Sequence, residues 1–200
     1  MAGIKLHLGA FDCGVPGWHN TDITPHIWIG RIPGAARILR WTGMLSAERY
    51  RQHRCGTFKH LQYLDITRRL PFADGSVEAV FSSHVFEHLF ADEVERLTRE
   101  LHRVLQPGGI CRVVVPDLEK IVAMYDPACP APFLNAIYEI GRRSDVKNAH
   151  HTGFTGTSIS ALFLGAGFGA VSVESYRTGL CPDLDRLDNR PESLFFEAVR

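Results

Sequence analysis

The sequence predicts an α/β protein built on a mainly parallel sheet. Three observations carry this reading. Short apolar runs alternate with stretches of helical spacing, which is the pattern of βαβ units. Ala79 to Ser83 is apolar on consecutive positions, as a strand covered on both faces would be. Asp92 to Leu105 carries Val94, Leu97, Leu101, Val104 and Leu105 at helical spacing and stops at Gln106-Pro107-Gly108-Gly109.

In chain order, Ile4 to Leu8 is the first strand, running through Gly9 into the turn-rich stretch Asp12 to Gly17. Trp18 to Ile23 is the second strand and contains Asp22, and Phe58 to Leu64 is the third, ending at Asp65. Ala79 to Ser83 is the fourth strand, and Ile110 to Val115, closed by Pro116, is the fifth. Helices are expected from Leu118 to Tyr125, from Phe133 to Arg142 and from Thr157 to Leu164, the last ending at Gly165 to Gly167. Ala170 to Tyr176 and Leu194 to Val199 supply the last two strands. Thr24 to Arg54 is the one long segment outside the alternation. Right-handed crossovers would cover the sheet on both faces.

With 200 residues the chain fits one domain with a sizeable core and leaves little room for a second. Its 22 basic side chains balance 22 acidic ones, so no clustered cationic excess marks a dedicated nucleic-acid binder. The five cysteines, Cys13, Cys55, Cys111, Cys129 and Cys181, form no C-x-x-C pair and read as reduced thiols of a cytoplasmic protein. The opening MAGIKLHLGAF has no basic segment, long apolar region and cleavage site, and no apolar run approaches the roughly 18 residues of a membrane span. A soluble, cytoplasmic protein is therefore expected.

In an open parallel sheet, ligands bind beyond the carboxyl ends of the strands. Gly9, Asp22, Asp65 and Ser82-Ser83-His84 all fall there. Glycine lets backbone approach a ligand, a carboxylate accepts both hydroxyls of a ribose, and a polar group after the third strand can meet an adenine edge. Together they describe a nucleoside-shaped site, although a strand-end Asp more often serves as a cap or turn residue.

The runs LHLGAFDCGVPGWHNTDI, YLDITRRLPFADGSVEAVFSSHVFEHL and RELHRVLQPGGICRVVVPD resemble successive motifs of class I S-adenosylmethionine-dependent methyltransferases, in the short bacterial type with an LGCG…PGW.N.DI opening. HHTGFTGTSISALFLGAGF and ESLFFEAVR resemble the same family's tail. The resemblance implies a Rossmann-like, doubly wound, seven-stranded sheet with an antiparallel C-terminal strand, S-adenosylmethionine as cofactor and methyl transfer as the reaction. It places Gly9, with Ala10 and Phe11, against the methionine part of the cofactor and Asp22, followed by Ile23, at the ribose. Asp65 and Ile66 would flank the adenine, and Ser83 and His84 would stand beside the reaction centre.

One departure matters: Phe11 occupies the place of the second glycine of the family's G-x-G opening. Either the loop takes another path, with Gly14 replacing the missing glycine if the loop is longer, or the pocket is partly blocked, which brings the rival reading of a non-catalytic binding or scaffold protein. A nicotinamide-dependent oxidoreductase is disfavoured, because G-x-G-x-x-G and its helix do not follow the first strand.

His84 is the candidate base, since an imidazole with an ordinary pKa of about 6.5 could take a proton from a hydroxyl or amine acceptor. His150, His151 and Tyr125 are further candidates. His84-Val85-Phe86-Glu87-His88 also spells the H-x-x-E-H zinc signature, in which His84 and His88 would share a helix face. Its place directly after a buried strand argues against that, so no metal is expected, and Glu87 and His88 are expected to start and cap the following helix.

Ile27 to Leu45 combines Trp28, Trp41 and several Ile and Leu residues with Arg31, Arg37 and Arg40, and no acid interrupts it. It reads either as a helix packed on the sheet or as a lid or peripheral membrane contact. The acceptor is expected to be a small molecule or a sugar- or lipid-linked one, met by this segment and by the region between Tyr125 and His151. The chain would act as a monomer or a homodimer whose partner completes that pocket.

Overall fold

The computed structural model describes residues 3–139 and 149–200. Strands β1 (Ile4–Leu8) and β2 (His19–Asp22) come first, then helices α1 (His26–Arg31), α2 (Ala35–Trp41) and α3 (Ala47–Cys55), then β3 (Gln62–Tyr63) and β4 (Val77–Ser83). A 3-10 turn at Phe86–His88 leads to α4 (Ala91–Val104) and β5 (Leu105–Val115). α5 (Leu118–Ala123), α6 (Ala131–Tyr138), α7 (Gly156–Gly165), β6 (Ala170–Glu174), α8 (Leu184–Leu187) and β7 (Leu194–Val199) complete the chain. The seven strands form one sheet in the order β3-β2-β1-β4-β5-β7-β6, and only β7 runs antiparallel to its neighbours. This is the expected doubly wound sheet with an antiparallel C-terminal strand.

Alternate side chains of the central strands enter different cores. Leu6, Leu8, Val80, Val113, Val115 and Phe196 pack on one face with Leu97 and Leu101 of α4 and Ile159 and Phe163 of α7. Ala79, Phe81, Val114 and Phe195 face the other way, onto Val15, Trp18, Leu184 and Leu187. That second cover is the β1–β2 loop and the four-residue α8, in place of long helices. The helix caps are local. Glu93 accepts a hydrogen bond from the Phe90 amide (3.0 Å), and Thr155 and Ser158 cap α7 reciprocally (2.9 and 3.1 Å).

A thin loop cover must satisfy whatever polar groups it buries, and the strands facing it carry several. Arg112 on β5 is fully buried, reaching Asp188 at 2.5 Å and Glu197 of β7 at 2.9 Å, and it donates to the Thr178 and Ser175 carbonyls. Glu197 also accepts from the Leu180 and Cys181 amides, so the whole 175–188 segment is wound onto one guanidinium. His7 of β1 sits on the same face between Trp18 and Phe81, and burial pushes its pKa down to about 4.

The structure corrects three expectations. The third strand is two residues long, because Phe58 and Leu61 turn away to pack with Ala10 and Ile27. Ile27 to Leu45 is neither one helix nor packed on the sheet: left-handed Gly34 breaks it, α2 buries no residue, and Ile38 and Trp41 are 60% and 87% exposed. Glu87 and His88 do not cap α4, which Phe90 and Glu93 begin. As the position after a buried strand implied, His84 and His88 share no α-helical face: His84 has a φ of +53° and only a 3-10 turn follows. The helix expected from Phe133 to Arg142 is α6, and its last expected residues lie outside the described ones.

Candidate active site

The sheet order reverses between β1 and β4, so the loops leaving their carboxyl ends diverge over a crevice. Gly9 begins the first of these loops with a φ of +64°, and a Cβ there would collide with Val85 Cγ2 on the second. The two loops therefore touch at the one residue type that both the dihedral and the space allow.

Phe11 takes a φ of +38°, the left-handed region that a glycine would enter freely. Its ring turns towards the insertion between β2 and β3, 5.8 Å from Phe58 and 6.0 Å from His26, with the Arg49 guanidinium over it at 4.4 Å. The Phe11 amide donates to Asp22 Oδ2 (3.1 Å) and the Thr24 amide to Oδ1 (2.7 Å). Asp22 thus ties the end of β2 to the loop after β1. Burial raises its pKa, against the pull of those amides. A carboxylate offers about four lone pairs, so acceptor capacity remains for a ribose diol. Ile23 beside it is 65% exposed and offers an unpartnered apolar face.

Asp65 is more committed. Thr67 gives Oδ1 both its amide (3.0 Å) and its hydroxyl (2.6 Å), Arg68 pairs with Oδ2 at 3.0 Å, and the Thr67 hydrogen bond leads in lowering the Asp65 pKa. Ile66 packs against the main core. Ser83 ends β4, and the His84 amide extends the ladder to the Val114 carbonyl (2.8 Å). The His84 ring makes one hydrogen bond, Nε2 to Ser193 Oγ at 3.0 Å, while Nδ1 lies 3.0 Å from Glu87 Oε1 without hydrogen-bond alignment. Ser193, which the sequence analysis did not single out, lies 109 residues away and reaches His84 only because β7 closes the sheet beside β5.

A family model described as "Methyltransferase domain" matches residues 37–113. Among solved structures, an S-adenosylmethionine-dependent methyltransferase of Thermotoga maritima superposes with a TM-score of 0.54 at 16% identity, over 100% of this chain and 83% of its own. The apo form of the S-adenosylmethionine-dependent methyltransferase SibL gives 0.53 at 16% identity, covering 99% of this chain and 50% of that one. The CurJ carbon methyltransferase gives 0.53 at 14%, covering 98% and 48%. This chain spans about half the length of those last two. The chain has the fold of the S-adenosylmethionine-dependent methyltransferases. The matched segment begins after Gly9, Phe11 and Asp22, so the roles of those three rest on their geometry.

In this methyltransferase fold, a cavity of about 270 Å³ opens beyond β5, walled by Leu118, Ile121, Ile137 and Phe154, with Glu87 and His151 among its polar groups. His151 is fixed by stacking on Phe90 (4.2 Å) and by its amide, which donates to the Glu87 carbonyl (2.7 Å). His150 lies against His88, with ring centroids 5.1 Å apart. Tyr125 is half exposed and meets Phe133 edge-on, outside the cavity wall. Among the described residues no helix is long and apolar enough to cross a membrane.

Proposed function

We propose that the chain binds S-adenosylmethionine over the carboxyl ends of β1, β2 and β4 and transfers its methyl group to a small, sugar- or lipid-linked acceptor. The observation that carries this is Asp22: a half-buried carboxylate at the end of β2, held by the Phe11 and Thr24 amides with acceptor capacity to spare. Phe11 does not close the crevice by its side chain, because its ring is spent on Phe58, His26 and Arg49. Gly9, Ala10 and Phe11 supply the backbone against the methionine part, Asp22 the ribose contact, Ile23 and Ile66 apolar contact for the adenine, and Asp65 its polar edge. When bound, the cofactor supplies a methyl group on a sulfonium sulfur, which an enzyme transfers mainly by alignment and exclusion of water.

The acceptor sits in the cavity beyond β5, whose apolar walls suit an aromatic or aliphatic body. His84 follows the end of β4, with Nδ1 3.0 Å from Glu87, which lines the cavity. It takes the acceptor's proton at Nε2 once the acceptor replaces Ser193 there, with the Glu87 carboxylate 3.0 Å from Nδ1 on the other side of the ring. Replacing His84 by Gln would then lower kcat with little change in KM.

Calorimetric titration with S-adenosylhomocysteine tests the reading. Micromolar binding in the parent supports it, and no heat and no thermal shift at millimolar ligand would favour the scaffold alternative. Exposed Trp28, Ile38, Trp41 and Met44 beside Arg31, Arg37 and Arg40 favour contact with an anionic lipid surface, which would bring a lipid-linked acceptor to the site. Binding to phosphatidylglycerol vesicles should fall at least about tenfold on replacing Trp28 and Trp41 with Ser. No binding by the parent removes that role.

A further inference from the structure

Glu87 follows β4 in the 3-10 turn, is 1% exposed, and neither of its carboxylate oxygens has a hydrogen-bond partner among the described residues. His84 Nδ1 stands 3.0 Å from Oε1 but without hydrogen-bond alignment. A buried carboxyl group without a hydrogen-bond partner is unfavourable, and among the described residues the fold surrounds this one with imidazoles rather than with Lys or Arg. His88 comes from the same turn, and His150 from the segment that crosses it. One ligand atom each from Glu87, His88 and His150 lie within 4.8 Å of one another.

We propose that Glu87, His88 and His150 form a binding site for a divalent transition metal, zinc by its donor set. Two imidazoles and one carboxylate are the protein ligands of a zinc site that keeps a fourth position open. Tetrahedral bonds of about 2.1 Å bring ligand atoms to roughly 3.4 Å from one another, so closure takes about 1 Å of side-chain movement. The surroundings suit the donors: His88 Nδ1 faces the Ala149 carbonyl at 3.4 Å, leaving Nε2 for the metal, and His84 Nδ1 stands 3.0 Å from Oε1 of the ligating carboxylate. Glu139 Oε2 lies 2.8 Å from His150 Nε2 and adds negative charge next to the cation. Glu87 and His150 both line the 270 Å³ cavity, so the open position faces the space assigned to the acceptor and would take an acceptor oxygen or a water.

Metal binding is measured without cofactor or acceptor, so this proposal and the methyltransferase reading can fail separately. The full chain, stripped with chelator and desalted, is titrated with Zn²⁺ against a chromophoric chelator, and with Co²⁺ while visible absorption is followed. One Zn²⁺ per chain is expected, with the intense visible bands of tetrahedral cobalt. Glu87→Gln, His88→Ala and His150→Ala should each weaken binding at least about 100-fold. His53→Ala, which disrupts the separate His26–His53 pair (3.0 Å), should leave it unchanged. No stoichiometric zinc in the parent, zinc that survives His88→Ala and His150→Ala, or zinc lost in His53→Ala would overturn the assignment. If a ligand variant fails to fold, the cobalt spectrum of the parent decides, and absence of tetrahedral bands overturns it.

Discussion

Replacing Asp22 by Ala should weaken S-adenosylhomocysteine binding by about two orders of magnitude. Each oxygen of this carboxylate already accepts one backbone amide, from Phe11 at 3.1 Å and Thr24 at 2.7 Å, and keeps a lone pair for a ribose hydroxyl. A hydrogen bond to a charged group is worth about 1.5–3 kcal/mol net, so losing two costs about 3 kcal/mol at the lower bound, or about 150-fold in Kd. Asp22→Asn is the sharper variant. Its amide can keep the Thr24 bond but must turn an NH₂ towards the Phe11 amide, donor against donor, so an intermediate loss of about tenfold is expected. Burial raises the Asp22 pKa, so the carboxylate protonates at higher pH than a surface aspartate does. Parent affinity should therefore fall as pH drops through that raised pKa, whereas Asp22→Asn should be flat over the same range. Calorimetry at several pH values, with thermal melts to confirm folding, reads both effects. Affinity of Asp22→Ala within threefold of the parent, or an unchanged pH profile in Asp22→Asn, would refute the ribose role.

Gly9→Ala forces a side chain into a φ of +64° and against Val85 Cγ2, at costs of about 1–2 kcal/mol for the dihedral and about 1–3 kcal/mol for the clash. Val85→Ala should recover the second part only, and a loss under about 0.5 kcal/mol in urea denaturation would show that the loops do not meet as described. Arg112→Met leaves Asp188 and Glu197 buried without their cation, so stability should drop by about 3–5 kcal/mol and Tm by about 10 °C; a loss below about 1 kcal/mol would contradict the buried triad. His7 has a folded pKa of about 4 against about 6.5 unfolded, so the unfolded chain binds the extra proton and stability falls as pH drops between those values, by about 2 kcal/mol at pH 5. His7→Phe should remove that component of the acid slope, and parallel denaturation curves for parent and variant from pH 7 to 4.5 would exclude it.

The parts of the fold legible in the sequence are those whose signal is local. Ile4–Leu8 and Leu194–Val199 form as read, and α4 matches its amphipathic stretch to within a residue at each end, because apolar periodicity and a Pro-Gly-Gly stop fix them without distant partners. Phe58 and Leu61 read as strand by composition, yet the nearest apolar surface is Ala10 and Ile27, and packing there overrides propensity. Ile27 to Leu45 reads as one helix by composition, but Gly34 breaks it, so residues that would share one continuous helix are split between two short ones.

The site divides in the same way. Strand-end position put Gly9, Asp22 and His84 at the crevice from sequence alone. What Phe11 does could not be read there, since its ring direction depends on His26, Arg49 and Phe58, which enter from the insertion. That dependence has a functional consequence. A loop that holds a left-handed Phe stores strain that glycine would not, and the aromatic and cationic contacts of the ring offset it. The insertion is thus a structural counterpart of the cofactor loop. Changes in α3 around Arg49, remote from any ligand contact, should act on cofactor affinity through the position of the Phe11 amide on Asp22.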